Sequence, residues 1–103
     1  MKLSIIIVNY NTSHFIKRTI NSILNSNTTY SYEIIVVDNN SHDNSCSEIS
    51  KLYNDVTLIK NETNNGFSMG VNQGVSISSG ENILLINPDT LLKPNTIDAL
   101  LNC

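Results

Sequence analysis

Apolar residues follow two rhythms along this chain. Short continuous runs alternate with stretches in which apolar positions recur every three or four residues. The runs are Leu3-Ser4-Ile5-Ile6-Ile7-Val8, Glu33-Ile34-Ile35-Val36-Val37, Val56-Thr57-Leu58-Ile59-Lys60 and Ile83-Leu84-Leu85-Ile86. Their length and β-branched content predict strands. The first, second and fourth are nearly unbroken, as in strands buried on both faces of a parallel sheet. The third is interrupted by polar residues and suits a sheet edge.

The intervening stretches predict helices. Phe15, Ile16, Ile20, Ile23 and Leu24 recur at helical spacing behind a cap at Thr12 or Ser13, and that helix ends near Asn25. Ile49, Leu52 and Tyr53 form the apolar side of a second helix. Gly66 opens a third, with Gly70 and Gly74 at four-residue intervals so that it lies close to the sheet. Phe67, Met69, Val71 and Val75 are expected to supply its apolar contacts, with Met69 in the core and Gly80 as C-cap. A fourth helix is expected from Lys93 through Leu101, with Pro94 near its first position and a stop at Cys103.

Strict alternation of strand and helix predicts one α/β domain over residues 1–103. Its sheet is parallel, and right-handed crossovers place helices on both faces. Three strands run into polar ends: Asn9-Tyr10-Asn11, Asp38-Asn39-Asn40-Ser41 and Asn87-Pro88-Asp89. In a parallel sheet these ends share one edge, where ligands of open α/β sheets bind. The base and ribose of a nucleotide could be read there by Asp38 and the Asn9–Asn11 loop. Asp89, with the Asn87 amide two residues away, could hold a hard divalent cation against the diphosphate. Each residue also has a plainer reading. Asp38 can be a turn acid that caps the following helix, Asn-Pro-Asp-Thr can be only a turn, and Tyr10 can simply cover the end of the sheet. His14 and His42 read as solvated surface residues, and the glycines as packing residues.

Composition narrows the partners. A net charge of −3 with no basic cluster argues against nucleic acid. No apolar run approaches the roughly 20 residues of a membrane-spanning helix. Met1-Lys2 leads straight into a β-branched run without a signal-peptide core, so a cytoplasmic location is expected. Cys46 and Cys103 lie far apart with no metal-type spacing and read as free thiols.

Several nucleotide motifs are absent. The glycine spacing is not Gly-x-Gly-x-x-Gly, no Gly-Lys-Ser/Thr is present, and there is no Gly-x-Ser-x-Gly elbow. What the chain does carry is Ile5-Ile6-Ile7-Val8-Asn9-Tyr10-Asn11, Ile35-Val36-Val37-Asp38-Asn39-Asn40-Ser41, Asn64-Asn65-Gly66-Phe67 with Asn72-Gln73-Gly74, and Leu84-Leu85-Ile86-Asn87-Pro88-Asp89. In order and spacing these resemble the N-terminal half of family-2 glycosyltransferases of the GT-A fold, in the rhamnosyltransferase-like branch. The resemblance covers the whole chain.

The resemblance implies a truncated, Rossmann-like GT-A half with strand order 3-2-1-4, binding a UDP- or dTDP-sugar. It implies nucleotide contacts from Val8, Asn9, Tyr10, Asn11, Asp38, Asn40, Asn65, Asn72 and Asn87. Asp89 would bind Mn2+ or Mg2+. Asn87 stands where relatives have the first acid of Asp-x-Asp, so the metal would lean on one carboxylate plus substrate phosphates. In the family the catalytic base is an acid of the second half, which neither Glu81 nor Asp98 matches. The expected function is therefore a donor-binding segment of an inverting transferase, inactive alone, with peripheral membrane association left to a full-length relative. The alternative is a non-catalytic nucleotide-binding or self-assembling module. Strand order 3-2-1-4 would leave residues 83–86 on an open edge, so a homo-oligomer is expected through residues 83–87 and the apolar face of residues 97–101.

Overall fold

A computed structural model describes residues 1–102; the free-thiol and helix-stop expectations at Cys103 lie outside them. The elements follow in the order β1 (Leu3–Asn9), α1 (Ser13–Leu24), β2 (Tyr32–Asp38), α2 (Ser45–Leu52), β3 (Val56–Lys60), α3 (Phe67–Ile77), β4 (Asn82–Ile86) and α4 (Thr96–Leu101). The sheet order is β3-β2-β1-β4 and every pairing is parallel. The fold is therefore the one that sequence and resemblance imply.

Registers decide which side chains share a face. Ile5 pairs with Ile34 and Leu84, and Ile7 with Val36 and Ile86. With Leu3 these form one face of the sheet, on which Ile16, Ile20, Ile23, Ile49 and Ile97 close the main core. Helices α1, α2 and α4 thus share one layer. Each fully buried isoleucine there contributes roughly 1.5–3 kcal/mol by leaving water. The opposite face carries Ile6, Ile35 and Val37, with Ile59 beside them.

Helix α3 covers that second face by close approach. A Cβ at Gly70 would lie 2.9 Å from Val8 Cγ1, and one at Gly74 would lie 2.7 Å from Ile6 Cγ2. Only hydrogen fits at either position. Packing here is backbone on side chain, so the larger residues of α3 are not needed as wedges. Phe67, Met69 and Val75 are exposed, against the expectation of apolar contacts and a core Met69.

Other boundaries differ for local reasons. Helix α3 ends at Ile77 with Ser78 as its C-cap, before Gly80. Gly80 instead lies against β1: its N–H donates to Ser4 Oγ at 2.8 Å, and a Cβ there would meet Ser4 N at 2.5 Å. Helix α4 starts at Thr96 behind Asn95, so Pro94 precedes it in a turn. Phe15 and Leu24 flank the apolar stripe of α1 and stay exposed, as does Leu52 on α2. Tyr53, just past α2, reaches Asn21 Oδ1 with its hydroxyl at 2.8 Å.

Strand β4 forms one edge. Leu84 and Ile86 pack on the main core, while Ile83 and Leu85 point to the α3 side and are 41% and 44% exposed. On α4, Ile97 is fully buried and Leu101 packs on the core, leaving Leu100 exposed. The expected apolar face of residues 97–101 is therefore largely spent within the domain.

Gly74→Ala tests the close approach. Alanine gains roughly 1 kcal/mol of helix propensity over glycine. The β-branched Ile6 cannot swing its Cγ2 away cheaply, and overpacking costs typically 1–3 kcal/mol. Net destabilisation in urea titration is expected; a more stable variant would mean that α3 can lift off the sheet.

Candidate functional site

The carboxyl ends of β1 and β2 meet in register at Asn9 and Asp38. Both face the α1–α2 layer and are buried, Asn9 at 0% and Asp38 at 2% exposure. Asn9 Nδ2 donates to Asp38 Oδ1 at 2.6 Å and to Ser45 Oγ at 2.9 Å. Asn9 Oδ1 accepts the Thr12 hydroxyl. Ser41 donates its hydroxyl to Asp38 Oδ1 at 2.6 Å and its N–H to Oδ2 at 2.8 Å. Both carboxylate oxygens are thus engaged inside the protein. Asp38 is a turn acid tied to the β1 end, but it does not cap the following helix, whose first residue, Ser45, bonds to Asp43.

The two loops above this pair are tied together. Asn11 and Asn40 have positive φ, 53° and 65°, a conformation asparagine tolerates better than most residues. Asn11 donates its N–H to Ser41 Oγ at 2.9 Å, and its Oδ1 accepts the His42 N–H at 2.7 Å. Tyr10 and Asn11 remain exposed on top, and Asn40 is half-buried. Val8, half-buried, is the wall against which Gly70 rests. His14 and His42 are exposed, as expected.

Asp43 does the capping expected of Thr12 or Ser13. Its Oδ2 accepts the Ser13 N–H at 3.0 Å at the start of α1. Its Oδ1 accepts the N–H and hydroxyl of Ser45 at the start of α2, at 3.0 and 2.5 Å. One carboxylate therefore serves two helix N-termini. Burial alone would raise its pKa, but the hydrogen bonds from Ser45 and Ser13 outweigh that and hold it below the usual carboxylate range. Nearby, burial and the Asp38 carboxylate push the Cys46 thiol up to about 12, so it stays protonated and inert.

On the β3 side an amide ladder closes the rim. Asn61 Nδ2 donates to Asn39 Oδ1 at 3.0 Å, and Asn61 and Gln73 exchange amide bonds at 2.7 and 2.8 Å. Asn39 Nδ2 reaches Gly66 O at 3.1 Å. Asn65 is exposed and accepts the Thr63 hydroxyl at 2.8 Å. Asn72 is exposed on α3, two residues from both Gly70 and Gly74, which places it on the helix side away from the sheet. Gln73, three residues after Gly70, is the amide that joins the network. Sequence reasoning missed it, although helical spacing was the signal that favoured 73 over 72.

Asn87 and Asp89 are exposed in a turn after β4, closed by the Thr90 N–H on Asn87 O at 3.0 Å. The Thr19 hydroxyl donates to Pro88 O at 2.6 Å, and the Leu92 N–H donates to Ser22 Oγ at 3.0 Å, which pins this segment along α1. A cavity of about 190 Å³ lies between them, lined by Phe15, Arg18, Asp89 and Leu91. Among the described residues no cluster of three His, Cys, Asp or Glu could hold a metal unaided. A carboxylate and an amide oxygen are still a suitable partial set for a hard cation that keeps water and phosphate ligands.

Residues 4–102 match the family model described as glycosyl transferase family 2. The chain belongs to that family. It is 32% identical over 101 residues to the glycosyltransferase GlyG of Streptococcus pneumoniae, covering 95% of this chain and 33% of that protein. The crystal structure of S. aureus TarS 1-349 in complex with UDP-GlcNAc superposes with a TM-score of 0.91 at 25% identity, over 99% of this chain and 30% of that one. The mannosyltransferase PcManGT of Pyrobaculum calidifontis, in complex with GDP-Man and Mn2+, shares the fold with a TM-score of 0.87 at 22% identity, over 97% and 31% of the two chains. The chain spans about a third of the length of the curated relatives it matches. No described helix is long and apolar enough to cross a membrane.

Asp43→Ala should lower stability by about 0.5–2 kcal/mol near neutral pH, the range for a lost cap. A depressed folded-state pKa stabilises above the ordinary carboxylate range and is lost as pH falls through the folded value. The gap in thermal midpoint between wild type and variant should therefore close below about pH 4. A gap that persists in acid would remove the capping account.

Proposed function

We propose that this domain binds the nucleoside diphosphate of a sugar donor, as the donor-binding part of an inverting glycosyltransferase. The observation that carries the reading is the interlocked rim: buried Asn9 and Asp38 fix two loops that hold Tyr10 and Asn11 exposed on the ligand-binding edge of a parallel sheet. Asp89 stands exposed at the end of β4 on the same edge. The UDP-GlcNAc and UDP complexes of TarS support uridine diphosphate as the nucleotide, with thymidine diphosphate differing only slightly in the base. Nucleoside contact comes from the exposed tops of the two tied loops, while Asn9 and Asp38 hold those loops in place.

Asp89, with Asn87 beside it, would hold Mn2+ or Mg2+ once the donor phosphates complete the ligand set. The ion supplies charge neutralisation for the departing diphosphate. Inverting transfer also needs a base for the acceptor hydroxyl. Glu81 is engaged with Lys2 at 3.4 Å, beside the N-terminal end of β1, and Asp98 accepts the Thr28 hydroxyl, so neither sits on the rim. In this reading the chain by itself binds the donor without transferring it.

Calorimetry with UDP and dTDP, with and without Mn2+, tests this reading. Binding should weaken on chelation, and Asp89→Ala should remove only the metal-dependent part and leave the thermal midpoint unchanged. Failure of a folded chain to bind either nucleotide would end the proposal. Loss of folding in Asp89→Ala would leave Asn-Pro-Asp-Thr as a turn and nothing more.

A second reading, self-assembly, has one specific observation behind it. Among the described residues no strand pairs with the outer edge of β4, and its Ile83 and Leu85 are partly exposed. A homodimer through this edge should bury more than about 1,000 Å² in total. Sedimentation equilibrium of wild type and Leu85→Lys checks it: association abolished by the lysine is expected, and a monomeric wild type would discard the reading.

A further inference from the structure

The loop from β3 into α3 carries a chemistry that the nucleotide reading does not use. Asn65-Gly66 is the one asparagine–glycine step in the chain. Thr63, Asn64, Asn65 and Gly66 are all exposed. Gly66 has a φ of 87° and no side chain, and no other part of the fold lies within 4 Å of where its Cβ would stand. The Thr63 hydroxyl donates to Asn65 Oδ1 at 2.8 Å, which draws electron density away from the side-chain carbonyl carbon. The Gly66 N–H donates to Asn64 Oδ1 at 3.0 Å, an acceptor on a side chain that is itself exposed. Asparagines followed by serine are placed differently. Ser22 lies inside α1, and the N–H of Ser26 is held by Ile23 O at 3.0 Å. The N–H groups of Ser41 and Ser45 are held by the carboxylates of Asp38 at 2.8 Å and Asp43 at 3.0 Å.

We propose that Asn65 is a site of spontaneous deamidation, assisted by the Thr63 hydroxyl, that changes the charge of the ligand edge. Hydroxide from solvent takes the Gly66 N–H proton. The Gly66 nitrogen attacks Asn65 Cγ and a C–N bond forms. The side-chain nitrogen takes a proton from water and leaves as ammonia, and a cyclic imide remains. Water then adds to one of the two ring carbonyls. Cleavage between Cγ and the Gly66 nitrogen gives aspartate. Cleavage between the backbone carbonyl and that nitrogen gives isoaspartate, whose main chain runs through the side chain and is one carbon longer. Either product adds a negative charge. Gly66 O accepts from Asn39 Nδ2 at 3.1 Å, so the change falls where the amide ladder meets the start of α3. There it opposes a diphosphate held on the same edge. That consequence rests on the donor-binding reading, whereas the modification itself does not.

Peptide mapping by mass spectrometry on the folded chain, aged in mildly acidic and in mildly alkaline buffer, follows every asparagine at once. Asn65 should convert ahead of the others, to a mixture of isoaspartate and aspartate, and faster in alkali. Thr63→Val, an exposed substitution whose folding thermal melting confirms, should slow the conversion by roughly two- to tenfold, the weight of one ordinary hydrogen bond in the barrier. Conversion at Asn65 no faster than at Asn25 or Asn44, aspartate without isoaspartate, or an unchanged rate in Thr63→Val would overturn the proposal. The aged form, separated by anion exchange, and Asn65→Asp are then titrated with UDP and Mn2+ by calorimetry. Both should bind roughly two- to tenfold more weakly than the fresh chain, with the gap narrowing as salt is added. Equal binding by all three forms would remove the effect on the ligand edge. If even the fresh chain fails to bind UDP while Asn65 still converts, the donor reading fails and the modification site stands.

Discussion

The amide of Asn9 on the carboxylate of Asp38 is the contact from which the ligand edge is built. Both groups sit where β1 and β2 leave the sheet, cut off from water. A buried carboxylate without partners would cost several kcal/mol. Here it accepts from Asn9 and Ser41, and Asn9 in turn accepts from Thr12 and donates to Ser45. Satisfying one charge therefore fixes the start of both following loops. Asp43 repeats the device one layer out, joining the starts of α1 and α2. The exposed groups above inherit a position they do not have to find on binding a ligand.

The two faces of the sheet solve different problems. The face under α1, α2 and α4 is filled by branched aliphatic side chains, which stabilise by volume and area. The face under α3 gains its stability from closeness, glycine against Val8 and Ile6. That closeness brings Gln73 within reach of Asn61 and so reaches the rim through Asn39. Helix α3 is thus a mechanical part of the ligand edge through an amide ladder, while its own asparagine faces away.

The elements, the parallel order and the gathering of polar strand ends were legible because each rests on local pattern or on chain-wide alternation. Continuous runs such as Ile5-Ile6-Ile7 admit one interpretation in an α/β context. Partners across the fold were not legible. Nothing near Ser13 in the chain announces that its N–H bonds to Asp43, and nothing near Gly80 announces Ser4. Met69 looked like core because its hydrophobicity was weighed without drawing out what the glycine face implies: with Gly70 and Gly74 so close to the sheet, no gap is left there for a larger side chain of α3 to fill. Phe15 and Leu24 failed for a related reason, as the edges of an apolar stripe touch the core only if a neighbouring element reaches them. At the site, sequence placed Asp38, Asn11 and Asp89 on one edge and left open which of them faces inward.

The strand order has a consequence for how the domain forms. β1 is the earliest strand in the chain, yet it lies between β2 and β4. One of its sides can be zipped after a single crossover, whereas the other waits for a strand from the far end, with Leu3 opposite Asn82. Closing that loop brings an entropic cost before any pairing rewards it. Until then Ile5, Ile6 and Ile7 present an open, flat, aliphatic edge. The most buried strand of the finished domain is its most aggregation-exposed segment during folding, and the speed with which β4 docks sets how long that exposure lasts.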